Sequence, residues 1–228
     1  MLYTEAMVRE NIRSRDGRRV FFLAKGDTLT PGARDYLSRE RIEIRPGETA
    51  KMEEFCLLSG AVLREKPEQM THLQGNVLVS KTHPRIAFRG AMDSLEAELL
   101  LCQLSTGEAL RKQLQEILNL ARMLIRCEVL GEPVPEGKLC GLTESEQRSR
   151  SHRPQDYYGQ VHFMPSFTDG AEILWLNRCR CAARNAELAA ARAFVDEDGA
   201  VQREDILRAL NRMSSMIYIL MIQSKAGG

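Results

Sequence analysis

At 228 residues, with 28% charged and 43% hydrophobic side chains, the chain has room for one sizeable core and a small appendage. Its formal net charge of +1 excludes the chain-wide basic field of a nucleic-acid binder. The longest apolar run, Met216 to Ile222, falls far short of the ~20 residues that cross a bilayer.

The first ten residues carry early acids and no apolar segment, unlike a signal peptide, so the expectation is a cytoplasmic protein with no nucleic acid and no membrane as partner. Six cysteines stand at 56, 102, 127, 140, 179 and 181, with no Cys-x-x-Cys spacing, and are expected to be reduced, structural thiols.

Residues 1–50 read as a small α+β module. Arg19 to Ala24 is a strand candidate and Gly26-Asp27 a turn. Thr30-Pro31 places an N-cap before a proline at the first helical position, opening a helix to about Arg39. Arg41 to Arg45 alternates like a strand, and Pro46-Gly47 closes it. Residues 51–70 read as a charged connector holding the apolar patch Phe55 to Leu58.

From Thr71 the pattern turns all-α, giving a bundle domain over 71–228. Thr82-His83-Pro84 opens a helix to about Leu104. Thr106-Gly107-Glu108 opens the next, with Leu110, Leu114, Ile117, Leu118, Ala121 and Leu124 on its apolar face and Gly131 as its stop. Residues 131–167 read as a long irregular connection, of the kind that carries function or motion. Two further helices follow, about 169–195 and about 203–223. The fold class expected is mainly α: an antiparallel helical bundle with a small N-terminal α+β appendage.

Three stretches do more than packing requires. Between Leu174 and Phe194, Arg178, Asn185 and Arg192 form one polar stripe that would meet water. Asn177, Arg180, Arg184 and Glu187 form a second, which calls for a buried ion-pair network, a subunit contact or a bound anion. Asp93 shares its stripe with Ile86, Gly90, Ala97 and Leu101, so either that stripe is partly exposed or the carboxylate pairs with an arginine of another element. The last helix has a complete apolar face (Ile206, Leu210, Met213, Ile217, Met221) and a separate face of Asn211, Ser214, Ser215 and Tyr218. That polar face is either solvated or lines a polar cavity. Arg208 and Arg212 lie on a neighbouring side that would meet water. Finally, Thr71 to Lys81, polar with one Gly and one Lys ahead of a helix, is a weak candidate for holding phosphate.

These stretches resemble corrinoid adenosyltransferases, most closely the ethanolamine-utilization type and more distantly the propanediol-utilization type. The resemblance rests on Lys66-Pro-Glu-Gln-Met-Thr-His-Leu73, Ser80 to Ser94, Leu130-Gly-Glu-Pro133, Gly141-Leu-Thr-Glu144 and Ser151-His-Arg-Pro154. Arg180-Cys-Ala-Ala-Arg-Asn-Ala-Glu187 is similar to the family's Arg-Thr-x-x-Arg-x-x-Glu, with Cys181 for Thr. Asp205 to Ser215 resembles its closing Leu-Asn-Arg-Leu-Ser segment.

The resemblance implies transfer of the 5′-deoxyadenosyl group of ATP to cob(I)alamin, with Mg²⁺ accompanying ATP. It implies that Asp93 pairs with Arg180, and that Arg184, Lys81 and the segment from Thr71 meet the triphosphate. Glu187 and Asn211 would orient Arg184 and the nucleotide or its metal. Phe163 is the candidate for excluding the corrinoid's lower axial ligand, against plain loop packing. The resemblance also implies a homo-oligomer, with ethanolamine ammonia-lyase or its reactivase and a reductant protein as partners, in the cytoplasm or a bacterial microcompartment. Ethanolamine-type members can carry a His and three Cys ahead of the Lys-Pro segment as a divalent-metal site. Here only Cys56 remains, so no structural zinc or iron is expected. The alternative to an enzyme is a non-catalytic module delivering corrinoid or nucleotide to a partner lyase.

Overall fold

The computed structural model describes residues 1–15, 17–47 and 54–227. The chain forms two compact units, Met1–His83 and Pro84–Gly228.

In the first unit, β1 (Leu2–Tyr3) pairs in parallel with β4 (Thr28–Leu29). Helix α1 (Glu5–Asn11) leads to β2 (Arg13–Arg15) and β3 (Arg18–Leu23), and helix α2 (Pro31–Arg39) to β5 (Glu43–Pro46), in a sheet ordered β2-β3-β5. The Thr30 hydroxyl caps α2 by accepting from Ala33 N–H, with Pro31 at the first helical position. Phe21, Ala33, Tyr36 and Leu37 bury beneath the sheet, and Tyr3 meets Phe21 edge-on at 5.2 Å.

A second sheet, ordered β7-β6-β9-β8, is built from β6 (Phe55–Leu57), β7 (Val62–Leu63), β8 (Met70–Gln74) and β9 (Val77–Ser80). Residues 70–80 are thus a hairpin, not the start of the all-α region. Val77-Leu-Val is β-branched at alternate positions, and Gly75, at φ +57°, makes the turn. The expected connector likewise supplies two strands from Phe55 onward, while its residues 51–53 lie outside the described set.

Asn76, 4% exposed, stitches this unit together. Its Oδ1 accepts from Ser14 N–H at 2.6 Å, and its Nδ2 donates to Ser14 O at 2.8 Å and Glu54 O at 3.2 Å. At Gly75 an added Cβ would stand 2.4 Å from the Ile12 carbonyl oxygen. Gly75→Ala should therefore destabilise this unit by about 2 kcal/mol, combining left-handed strain with a backbone clash. A urea titration following the first unit's aromatic signals would measure it, and an unshifted midpoint would refute the close approach.

The second unit is a bundle of four long helices: α3 (Pro84–Leu104), α4 (Glu108–Leu130), α7 (Ala171–Phe194) and α8 (Glu204–Gly227). Its core includes Phe88, Leu95, Leu118, Leu176, Leu210 and Ile217, all at most 1% exposed. Helix α7 packs against α3 and α8, and α4 closes the ring against both of those. Its buried Ala183, Ala186 and Ala190 let the neighbours approach closely. The antiparallel sense of α3 and α7 shows in Phe88 meeting Phe194 at 5.5 Å and Glu98 meeting Arg178 at 2.6 Å. Helices α4 and α7 are diagonal across the bundle.

The chain crosses that diagonal through residues 131–170, which are less irregular than their composition predicts. Helix α5 (Glu144–His152) starts with a capping box, Thr143 and Glu146 bonding reciprocally. Helix α6 (Pro154–Tyr158) follows, then a 3₁₀ turn at Phe167–Asp169. The α4 stop is the expected one, with Gly131 at φ +65°.

Arg203 anchors the start of α8. It donates to Cys127 O and Glu132 O at the end of α4 and to both oxygens of Asp205. Burial alone would raise the Asp205 carboxyl, but the Arg203 hydrogen bonds and the Val134 and Ile206 N–H groups outweigh it and hold the pKa at about 2, against an ordinary 3.8. A depressed folded-state pKa gives stability that is complete above the unfolded value and disappears as pH falls through the folded one. The protein should lose about 2 kcal/mol of Asp205-linked stability between pH ~4 and ~2. Asp205→Asn should flatten that part of the stability–pH curve, and a curve unchanged by the substitution would refute the assignment.

Candidate active site

The second polar stripe of α7 meets the polar face of α8. Arg180, half-buried, donates from Nε and Nη2 to Asn177 Oδ1 at 3.3 and 3.2 Å, one turn back on its own helix. Its guanidinium lies over the Tyr218 ring at 5.7 Å. Asn177, which spacing left without a role, is thus the residue that orients Arg180. Further along, Asn211 Nδ2 donates to Glu187 Oε1 at 2.8 Å across the α7–α8 seam, and Asn211 Oδ1 accepts from Arg212 Nη2. Ser214 and Ser215 turn their hydroxyls back to the Asn211 carbonyl, at 3.0 and 3.1 Å. Arg184 lies between these groups in sequence, exposed, with no ion pair among the described residues.

The loop before α7 closes one end of this seam. His162 Nδ1 bonds the Tyr218 hydroxyl at 3.0 Å while the two rings stack at 5.8 Å. Phe163, half-buried, lies 6.3 Å from the Tyr218 ring, with Lys225 Nζ 4.2 Å from its own centroid. Lys225 also bonds Asp169 at 2.8 Å. That bond first, and the Ser166 N–H second, hold the Asp169 carboxyl below its usual range. Beside Phe163, Met164 and Phe167 are 88% and 87% exposed. The sequence reading passed over both; two large apolar side chains flanking Pro165 in a polar loop were the available signal.

Asp93 does not meet Arg180 within one chain. It is exposed on α3 and makes no ion pair with Arg180 or any other described residue within the chain. The reason is orientation: the core face of α3 is Phe88, Met92, Leu95 and Leu99, whereas the Asp93 stripe, with Gly90, Ala97 and Leu101, points outward. The structure therefore brings Arg180, Glu187 and Asn211 into one seam with Arg184 on its rim, and leaves Asp93 apart. Arg212, expected to meet water, is instead half-buried. Thr71 and Lys81 belong to the first unit: Thr71 is half-buried in β8 opposite Val79, and Lys81 pairs with Glu68 at 3.0 Å.

No three His, Cys, Asp or Glu side chains among the described residues converge to hold a metal. Cys56 is buried, with its thiol donating to Ser14 O at 3.2 Å and Asn76 Nδ2 3.7 Å away. Those neighbours do not fit a cysteine-rich divalent-metal site. Glu187 does fit a magnesium-bound nucleotide, because Asn211 occupies only one of its carboxylate oxygens.

The profile of the cobalamin adenosyltransferase family matches residues 61–224, which takes in β7, β8 and β9 of the second sheet and the four bundle helices almost to the end of α8. The chain belongs to that family. As a cobalamin adenosyltransferase family member it is 30% identical to the corrinoid adenosyltransferase EutT of Escherichia coli (strain K12), over 97% of this chain and 91% of the relative. It is likewise 30% identical to the EutT of Salmonella typhimurium, over 98% and 92%. A corrinoid adenosyltransferase PduO of Citrobacter freundii is 28% identical over 62% of this chain and 43% of its own length. No helix of this family member, among its described residues, is long and apolar enough to cross a membrane.

Proposed function

We propose that this protein transfers the 5′-deoxyadenosyl group of ATP to a reduced corrinoid, giving adenosylcobalamin and triphosphate. The observation that carries the reading is the α7–α8 seam, where the exposed Arg184 guanidinium stands on the same stripe as the oriented Arg180 and the Glu187–Asn211 pair. Cob(I)alamin supplies the nucleophile: its cobalt electron pair forms the Co–C5′ bond as the C5′–O bond to triphosphate breaks. The protein's part is positioning and charge. Arg184 binds triphosphate oxygens through charge-assisted hydrogen bonds, and the family resemblance assigns Lys81 and the segment from Thr71 to the triphosphate as well. Glu187 and Asn211 orient the nucleotide, Glu187 also serving its Mg²⁺. Arg180, placed over the Tyr218 ring, keeps the stripe positive where negative charge accumulates on the leaving group. Phe163, braced by Tyr218 and Lys225, is assigned to excluding the corrinoid's lower axial ligand.

The outward stripe of α3, with Asp93 beside Leu101 and Leu104 at 45% and 80% exposure, supports a homo-oligomer in which a second copy covers it. The likeness to EutT supports a role in ethanolamine utilization, with ethanolamine ammonia-lyase as the consumer of the product and the cytoplasm or a microcompartment as the place. The test is to mix the protein with ATP and chemically reduced cobalamin and follow the visible spectrum as the Co–C bond forms. Turnover that requires ATP is expected. ATP binding without turnover would leave a non-catalytic delivery module and overturn the enzyme.

A further inference from the structure

On the side of α8 turned towards α4 and α5, two cavities open into a shared rim of Gly137, Lys138, Glu144 and Arg212. The inner one, about 310 Å³, has an apolar lining of Leu120, Met123, Val134, Leu139 and Ala209. The outer one, about 810 Å³, is ringed by Lys138, Arg148, Arg208 and Arg212 against Glu136 and Glu144.

Two polar atoms here are stranded. Gln147 is 1% exposed; its Nε2 donates to Leu142 O at 2.9 Å, but its Oε1 is buried and accepts from nothing among the described residues. Arg212 Nη1 is buried and equally without an acceptor. A stranded acceptor and a stranded donor each cost about 1–3 kcal/mol, so a cavity lined by both is built for an occupant that satisfies them.

The charges say which kind. Glu144 is engaged by Arg208 at 3.4 Å, and Glu116, in the inner cavity, accepts from Cys140 N–H at 2.8 Å. Lys138 and Arg148 have no ion pair among the described residues, and Arg212 donates to the neutral Asn211 amide oxygen. Burial, and next the neighbouring Arg148, lower the Arg212 pKa, a conflict that a bound anion relieves. The outer cavity sets four cations (Lys138, Arg148, Arg208, Arg212) against two carboxylates (Glu136, Glu144), a surplus that suits a dianion better than a carboxylate.

We propose that this double cavity binds a small organic phosphate. Its phosphate sits against Lys138, Arg148 and Arg212, and its apolar body fills the inner chamber with one N–H or O–H donor directed at Gln147 Oε1. This site meets the α7–α8 seam through the Arg212–Asn211 hydrogen bond, but it does not rest on the reaction proposed above.

The test is isothermal titration of the full-length protein with 4-aminophenyl phosphate, phenyl phosphate and inorganic phosphate. The two aryl phosphates should bind at least about tenfold tighter than inorganic phosphate, and the amine should add about fivefold over phenyl phosphate. Lys138→Ala combined with Arg148→Ala, two exposed positions, should weaken both aryl probes about tenfold or more. Met123→Trp should abolish binding by filling the chamber, and Gln147→Leu should erase only the preference for the amine. Arg184→Ala should leave all of these affinities unchanged. Equal affinity for the three probes, no binding by any of them, or loss of binding in Arg184→Ala would each overturn the site.

Discussion

Glu128→Ala is expected to cost the helical unit about 3 kcal/mol, lowering its melting midpoint by roughly 8 °C. Glu128 is 1% exposed near the end of α4, and its carboxylate holds two arginines from the first turns of α3: Arg85 Nε at 2.5 Å and Arg89 Nε at 2.7 Å. Arg85 also reaches the Glu128 carbonyl at 3.2 Å. Truncating the carboxylate removes the charge both guanidinia were desolvated to meet. Breaking a buried pair this way typically costs about 3–5 kcal/mol, and the arginines, at 26% and 19% side-chain exposure, recover part of it from water. Calorimetry of the purified variant measures the loss. A shift below about 2 °C would mean the clamp contributes little.

Arg184→Ala should do the opposite: leave stability within about 0.5 kcal/mol of the parent and reduce kcat/KM by about 10²–10³-fold. Arg184 is exposed and bonds no described residue, so its removal strands nothing in the fold. If it neutralises the departing triphosphate, its contribution appears in the transition state, and kcat should fall more than KM rises. Arg184→Lys should recover only part of the rate, since an ammonium lacks the guanidinium's paired donors. A parental rate in Arg184→Ala, with its fold intact, would remove Arg184 from the reaction.

Much of this architecture is legible in the chain itself, for identifiable reasons. Pro31 after Thr30, Gly131 after Leu130 and Pro84 after His83 punctuate helices through local backbone chemistry, and α2, α4 and α3 begin or end at them. The five apolar residues chosen on the last helix are all fully buried, because a 3.6-residue period specifies which face turns inward. What periodicity cannot specify is which of two compatible faces is covered. Asp93 sits on a stripe as apolar as many core stripes, yet α3 turns the neighbouring one inward. The 70–80 hairpin was hidden because a short strand run before a helix also reads as a polar lead-in. Asn177 and Glu128 gained their roles from contacts with Arg180, Arg85 and Arg89 that depend on side-chain direction, or on another helix lying alongside.

The ring order of the bundle also bears on how it forms. Helices α3 and α4 are joined by a three-residue turn and can meet early, but the face they share stays open until α7 and α8 arrive. The Arg178–Glu98 contact spans 80 positions, so the chain must close a long loop before α3 gains its second neighbour. A bundle whose successive helices were all neighbours would avoid that step. This topology therefore favours slower assembly than an up-down-up-down bundle of equal size, with α5 and α6 shortening the free span that has to be searched.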